Sequence, residues 1–182
     1  MKAAFLLPAA TVVLALSACG KSPEKSGNIS AEDVAKEMSS VKLQPGQWEA
    51  TQEITDVTMT GLPQGAPDAA KAMIGHKTTF KHCITPEQAE KPSADFLAAQ
   101  KDAKCAYSKM DMTGGTITAA TVCQIPQQPG AEMKMAMKGT YMPDHYAIAI
   151  DVNSTGMANG MGMTMKMKSS GKRIGACTPG GA

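Results

Sequence analysis

The chain has 182 residues, with 18 Lys and Arg against 16 Asp and Glu and a formal net charge of +2, so it carries no basic footprint for nucleic acid. Its length suits one domain plus a tether and leaves little room for two. Fifteen methionines against three Phe, three Tyr and one Trp mean that any core is built mainly from Met, Ile, Val and Ala.

Met1 and Lys2 precede an apolar stretch from Ala3 to Leu16, broken only by Pro8 and Thr11. This is the form of a signal peptide over residues 1–18. At about 14 residues the run falls short of the ~20 that a membrane-spanning helix needs. It closes on Leu16-Ser17-Ala18-Cys19, which has the form of a bacterial lipobox. Cys19 is therefore the expected lipidation site, and a diacylglycerol thioether with an acylated amino group would anchor the chain stably to a membrane. An ordinary secreted protein with a free thiol at Cys19 is the alternative. Gly20 and Lys21 lack the aspartate that holds many lipoproteins at the inner membrane, which resembles outer-membrane sorting with the domain facing the periplasm.

Residues 19–42 are rich in Lys, Ser, Glu, Gly and Asn and read as a flexible tether. Within it, Ser30 followed by Asp33, with Val34 and Met38 four apart, predicts a short amphipathic helix able to dock or fray. The domain, residues 43–178, opens at the turn Leu43-Gln44-Pro45-Gly46. Trp48, Ala50, Gln52 and Ile54 then alternate with Glu49, Thr51, Glu53 and Thr55, which predicts a long strand over 47–60. Trp48 plugs one end of the core in this reading, with a binding role as the alternative. Residues 61–75 form a Pro- and Gly-rich loop. A second strand over 76–84 delivers Cys83, and Thr85-Pro86-Glu87 caps a helix. Pro92 breaks that helix, and a second piece runs to about Asp102 with Phe96 and Leu97 as core contacts.

Strands over 105–112 and 116–124 flank Thr113-Gly114-Gly115-Thr116, a hairpin signal. A two-residue turn places Cys105 opposite Gln124, whereas a three-residue turn with a bulge sets it across from Cys123. Apart from Cys19, the cysteines are Cys83, Cys105, Cys123 and Cys177, an even number for an oxidising compartment, so two disulfides are expected. The bulged register favours Cys105 with Cys123, leaving Cys83 with Cys177. Sequence alone leaves the other two pairings open. There is no CxxC pair and no histidine at zinc-finger spacing.

After a Pro-containing loop over 125–130, Met133, Met135 and Met137 alternate with Lys134, Ala136 and Lys138 in a strand over 132–142. The chain turns at Pro143-Asp144 and returns as a strand over 146–154. A last strand then carries Met161, Met163, Met165 and Met167, alternating with Gly162, Thr164, Lys166 and Lys168. Residues 179–182 are a tail. Six or seven antiparallel strands with helical material after the second strand predict a mainly β fold, a curved sheet or partly closed barrel, with no βαβ alternation.

Pro45-Gly46-Gln47-Trp48-Glu49, Cys83-Ile84-Thr85-Pro86-Glu87, Cys105, Cys123, Gly139-Thr140-Tyr141 and Gly175-Ala176-Cys177 together resemble the domain-of-unknown-function family 3617, small exported proteins and lipoproteins of Gram-negative bacteria, over residues 43–178. The resemblance implies no activity, ligand, cofactor or catalytic residue.

His76, His82 and His145 are not at metal spacing, and no GxSxG elbow or GxxxxGK loop is present. The expected function is thus a non-enzymatic, cofactor-free envelope module that binds a small apolar ligand, lipid or protein partner. The alternative is binding of copper(I) or silver(I) through Met133, Met135, Met137, Met161, Met163, Met165 and Met167, since thioethers are soft donors. Methionines two apart on a strand stand ~6.6 Å from one another, so chelation would need a second strand alongside. A buried methionine face with lysines toward solvent explains the alternation without metal.

Overall fold

The computed structural model describes residues 25–62, 70–90, 104–126 and 128–178. The signal sequence, Cys19, the helical piece expected before Asp102 with Phe96 and Leu97, part of the 61–75 loop and the tail lie outside these residues. The described chain runs β1 (Lys25–Ile29), α1 (Ala31–Ser39), β2 (Gly46–Thr60), β3 (Lys77–Ile84), α2 (Pro86–Glu90), β4 (Ala106–Asp111), β5 (Thr116–Gln124), β6 (Glu132–Met142), β7 (His145–Thr155) and β8 (Gly162–Gly175), with single 3-10 turns at Lys71–Met73 and Ala158–Gly160.

The strands pair into one antiparallel sheet in the order β1-β4-β5-β6-β7-β8-β2-β3. Among the described residues the strand count is eight, where the sequence predicts six or seven. The additional strand is β1, which lies in the stretch read as tether and pairs with β4 through Lys25 opposite Met110 and Ile29 opposite Tyr107. Its sequence, Lys-Ser-Gly-Asn-Ile, has no apolar alternation, so nothing local announces it. The sheet is open, with β1 and β3 as its two edges, and does not close into a barrel.

Two irregularities set which side chains share a face. In β4 the register shifts between Tyr107 and Lys109, so the hairpin starts with the two-residue Gly114-Gly115 turn and still brings Cys105 level with Cys123. Both glycines have positive φ, 59° and 76°, as a tight type I′ turn requires. The expected shift is thus present, but a bulge within β4 produces it and the turn does not. In β2 a bulge between Ile54 and Asp56 reverses the alternation, so Val57 and Met59 follow Trp48, Ala50 and Ile54 onto one face.

The helix α1 forms as its cap predicts: Ser30 Oγ accepts from the Asp33 backbone N–H at 3.1 Å. It does not fray into a tether. Val34 is 0% exposed, and Met38, Val41 and Leu43 join it against Tyr107, Met110, Met112, Ile117 and Ala119. Burying a valine to this degree stabilises by about 1.5–3 kcal/mol, which is what holds the helix on the sheet. Two hydrogen bonds to the Met112 carbonyl reinforce the contact, from Tyr141 Oη at 2.7 Å and Ser40 Oγ at 3.2 Å. The second helix, α2, carries a reciprocal cap, with Thr85 Oγ1 accepting from Gln88 N and Gln88 Oε1 accepting from Thr85 N.

Candidate binding face

Register defines the inner face, the one that α1 covers in part. Successive rows across β6, β7, β8 and β2 are Met137–Ile150–Met167–Ile54, Met135–Val152–Met165–Val57 and Met133–Ser154–Met163–Met59. Directly opposed residues on antiparallel strands lie on one side of the sheet, so these side chains, Ser154 apart, form one continuous apolar surface. Val57 and Val152 are buried, while the methionines, Ile54 and Ile150 are half-buried. The sheet has a near end, where the β4–β5 and β6–β7 turns lie, and a far end at the β5–β6 and β7–β8 connections. Val34 of α1 belongs to the core cluster on this face with Tyr107, Met110, Ile117 and Ala119, and Met137, Tyr141 and Ile148 pack against that cluster.

The opposite, outer face is polar. Lys134, Lys138, Lys166 and Lys168 are exposed, and acidic residues stand beside them in the ladder, with Lys168 opposite Glu53 and Lys166 opposite Asp151 and Asp56. Lys172 pairs with Glu49 and Lys77 with Glu53, each at 3.4 Å. Such exposed pairs contribute only about 0.2–1 kcal/mol, and their role is to keep this face solvated while the other is not.

At the near end of the inner face Trp48 is 0% exposed, as its expected core position requires. Its Nε1 donates to the Gln44 carbonyl at 3.0 Å. The Tyr146 ring stacks against it with centroids 6.2 Å apart and planes at 22°. Tyr146 reaches Trp48 because Gly171, its ladder partner, has no side chain to stand in the way.

The expected site residues divide as follows. Cys105 and Cys123 are bonded with Cα atoms 4.0 Å apart, and Cys83 and Cys177 with Cα atoms 5.5 Å apart, the pairing that the sequence favours. The second bond bridges across the start of β2, because Gln47 stands opposite both Cys83 and Gly175. Met133, Met135, Met137, Met163, Met165 and Met167 share the inner face, and Met161 lies just before β8. The two methionine strands are not adjacent: β7 lies between β6 and β8, so Met135 and Met165 stand two ladder steps apart, ~9.6 Å. The thioether that faces Met163 directly across a strand pair is Met59 on β2. Its place was hidden because only the β2 bulge turns it inward. His76, His82 and His145 fall before β3, on β3 and at the start of β7, apart from one another. His82 lies opposite Trp48, and its Nδ1 is buried without a hydrogen-bond partner among the described residues.

Fold and face together define a class, an open antiparallel sheet with a methionine-lined apolar face, a helix packed on part of that face and two disulfides. The chain belongs to the family described as Protein of unknown function (DUF3617), which matches residues 43–177. No curated protein matches the chain. No solved structure matches it.

Proposed function

We propose that this is a non-enzymatic, lipid-anchored module of the cell envelope whose inner face binds a small apolar ligand, with an acyl chain of a lipid as the best fit. The observation that carries the reading is the run of apolar rows from Met133–Met137 to Ile54–Met59, half-buried and continuous over four strands. An apolar surface of this extent is costly to leave against water, and methionine side chains are flexible enough to pack on chains of varied shape. Anchoring at Cys19, at the outer membrane and toward the periplasm, supplies the setting in which such a ligand is met.

A second reading, copper(I) or silver(I) held by thioethers, has one observation in its favour. Met59 opposes Met163, and the Met161 backbone, two positions before Met163, lies beside Gly61, so three methionines from two adjoining chain segments are gathered at the far end.

One experiment addresses both. Native mass spectrometry of the protein released from membranes should show a bound lipid or fatty acid, and Met165→Gln on the inner face should lose it while Lys166→Gln on the outer face keeps it. A copper adduct that disappears in Met59→Leu and Met163→Leu, with no lipid, would instead establish the second reading. Neither adduct, together with failure of the wild type to take up added fatty acid, would overturn the binding module.

A further inference from the structure

The ladder sets a compact group of side chains on the outer face, across three neighbouring strands. Lys138 on β6 stands opposite Ala149 on β7, which stands opposite Lys168 on β8. Two residues along, Thr140, Ala147 and Ser170 stand opposite one another in the same way. Each flanking strand thus contributes one ammonium and one hydroxyl, and the middle strand contributes only two methyl groups. The corners of this rectangle lie ~9.6 Å apart across the strands and ~6.6 Å apart along them. Between the corners the two alanines leave an open depression of about 490 Å³, which these six residues help to line and which Thr51 and Glu53 border on β2.

Charge pairing sets this group apart from the rest of the face. Lys166 stands between Asp151 and Asp56 in the ladder, Lys172 pairs with Glu49, and Lys77 pairs with Glu53. Lys138 has only Thr118 and Ala149 opposite it. Lys168 has Ala149 on one side and Glu53 on the other, and that carboxylate lies 3.4 Å from Lys77. Lys134 also lacks an acid opposite it, but the residues across from it are Asn153 and then Thr164, with no second lysine. Among the described residues neither Lys138 nor Lys168 makes an ion pair, and neither the Thr140 nor the Ser170 hydroxyl makes a hydrogen bond.

We infer that this rectangle is a binding site for a phosphate group. Lysine stems are flexible, so both ammonium groups can lean over Ala149 from opposite sides and meet one anion. A phosphate monoester carries about −1.5 to −2 charges at neutral pH, which two ammonium groups balance, and its three free oxygens can accept from the lysines and the two hydroxyls together. A carboxylate has only two oxygens and one charge, so it uses these four donors less fully. The site lies on the opposite side of the sheet from the methionine rows and is independent of any ligand there. The same chemistry is offered by the free ion and by a lipid headgroup.

Alanine methyl groups at the floor of the site report its occupancy. Full-length protein with carbon-13 methyl-labelled alanine is titrated at constant ionic strength with inorganic phosphate, with chloride as the control anion, and with monomeric short-chain phosphatidic acid. The Ala147 and Ala149 signals, assigned with Ala147→Ser and Ala149→Ser, should shift saturably with phosphate in the millimolar range or tighter and stay still with chloride. Ala120, on the same face on β5, should not follow. Lys138→Gln with Lys168→Gln should weaken binding at least about tenfold, the scale of lost hydrogen bonds to a charged group. Lys134→Gln with Lys166→Gln removes the same charge and should leave binding within about twofold, since it touches only the solvated surface. Ala149→Leu fills the depression while keeping both lysines, and should abolish the shifts. Binding of phosphatidic acid tighter than that of inorganic phosphate, read at Ala147 and Ala149, assigns the site to a headgroup, and the reverse order assigns it to a free phosphate. Saturation by neither probe, equal weakening by the two lysine pairs, or shifts that Ala120 shares overturns the site.

Discussion

Gly171 shows how much of the inner face depends on single atoms. A Cβ built there would lie 2.6 Å from Cζ of Tyr146, whose ring crosses the position to stack on Trp48. Gly139 is similarly constrained, with Ile148 Cα 2.7 Å from the site of a Cβ. Gly171→Ala should destabilise by about 1–3 kcal/mol through overpacking, read as a lower urea midpoint with altered Trp48 fluorescence. Adding Tyr146→Ala should recover part of that loss, because residues in contact couple. A fully additive double variant would rule out the steric explanation. Neither glycine could be singled out from sequence, since a close approach needs a partner and the partner is named only by the ladder. The cysteines were legible for the opposite reason: hairpin arithmetic is local, and the missing one-residue shift could be placed even though its source, a bulge after Tyr107, could not.

At the scale of elements, local signals fixed identity and missed role. The Ser30 cap and the Val34–Met38 spacing are sufficient to predict α1, and they carry no information on what the helix covers. Its Val34 and Met38 join the cluster of Tyr107, Met110, Met112, Ile117 and Ala119 on the inner face, so α1 belongs to the core, although it precedes the matched family region at 43–177. Val34→Ala should therefore cost about 2 kcal/mol from the lost methyl groups and the cavity left behind, measurable by urea denaturation. A change below ~0.5 kcal/mol would mean that the helix only rests on the sheet. The strand β1 was illegible because its sequence is polar and its pairing is with β4, far along the chain. Met59 was missed through a different failure, a β2 bulge at Thr55 that switches the phase of an otherwise regular alternation.

For the whole molecule, the consequence of an open sheet is that its two edge strands are each held from one side only. Composition and strand spacing could indicate mainly β architecture, but closure depends on whether the first and last strands meet, which no local pattern encodes. Here β1 and β3 stay at opposite edges, and covalent bonds reinforce regions that the ladder leaves weak. Cys83–Cys177 spans 94 residues and ties the end of β3 to the segment after β8, across β2. Thr178 adds a hydrogen bond to the buried Gln47 between them, at 3.4 Å. Cys105–Cys123 spans 18 residues within one hairpin, so its loss leaves β3 attached as before. Replacing Cys83 and Cys177 by Ala removes a constraint of up to about 5 kcal/mol in the loop-entropy description, and the first structural response should be local opening at the β3 edge. Amide hydrogen exchange should then accelerate over Phe80–Ile84 and Arg173–Gly175 before the meander of β5, β6 and β7 is affected. The Cys105→Ala, Cys123→Ala variant should loosen β1 and β4 and leave β3 protected. Uniform loss of protection in both variants would show that the edges are not separate units of stability and that the sheet unfolds as one.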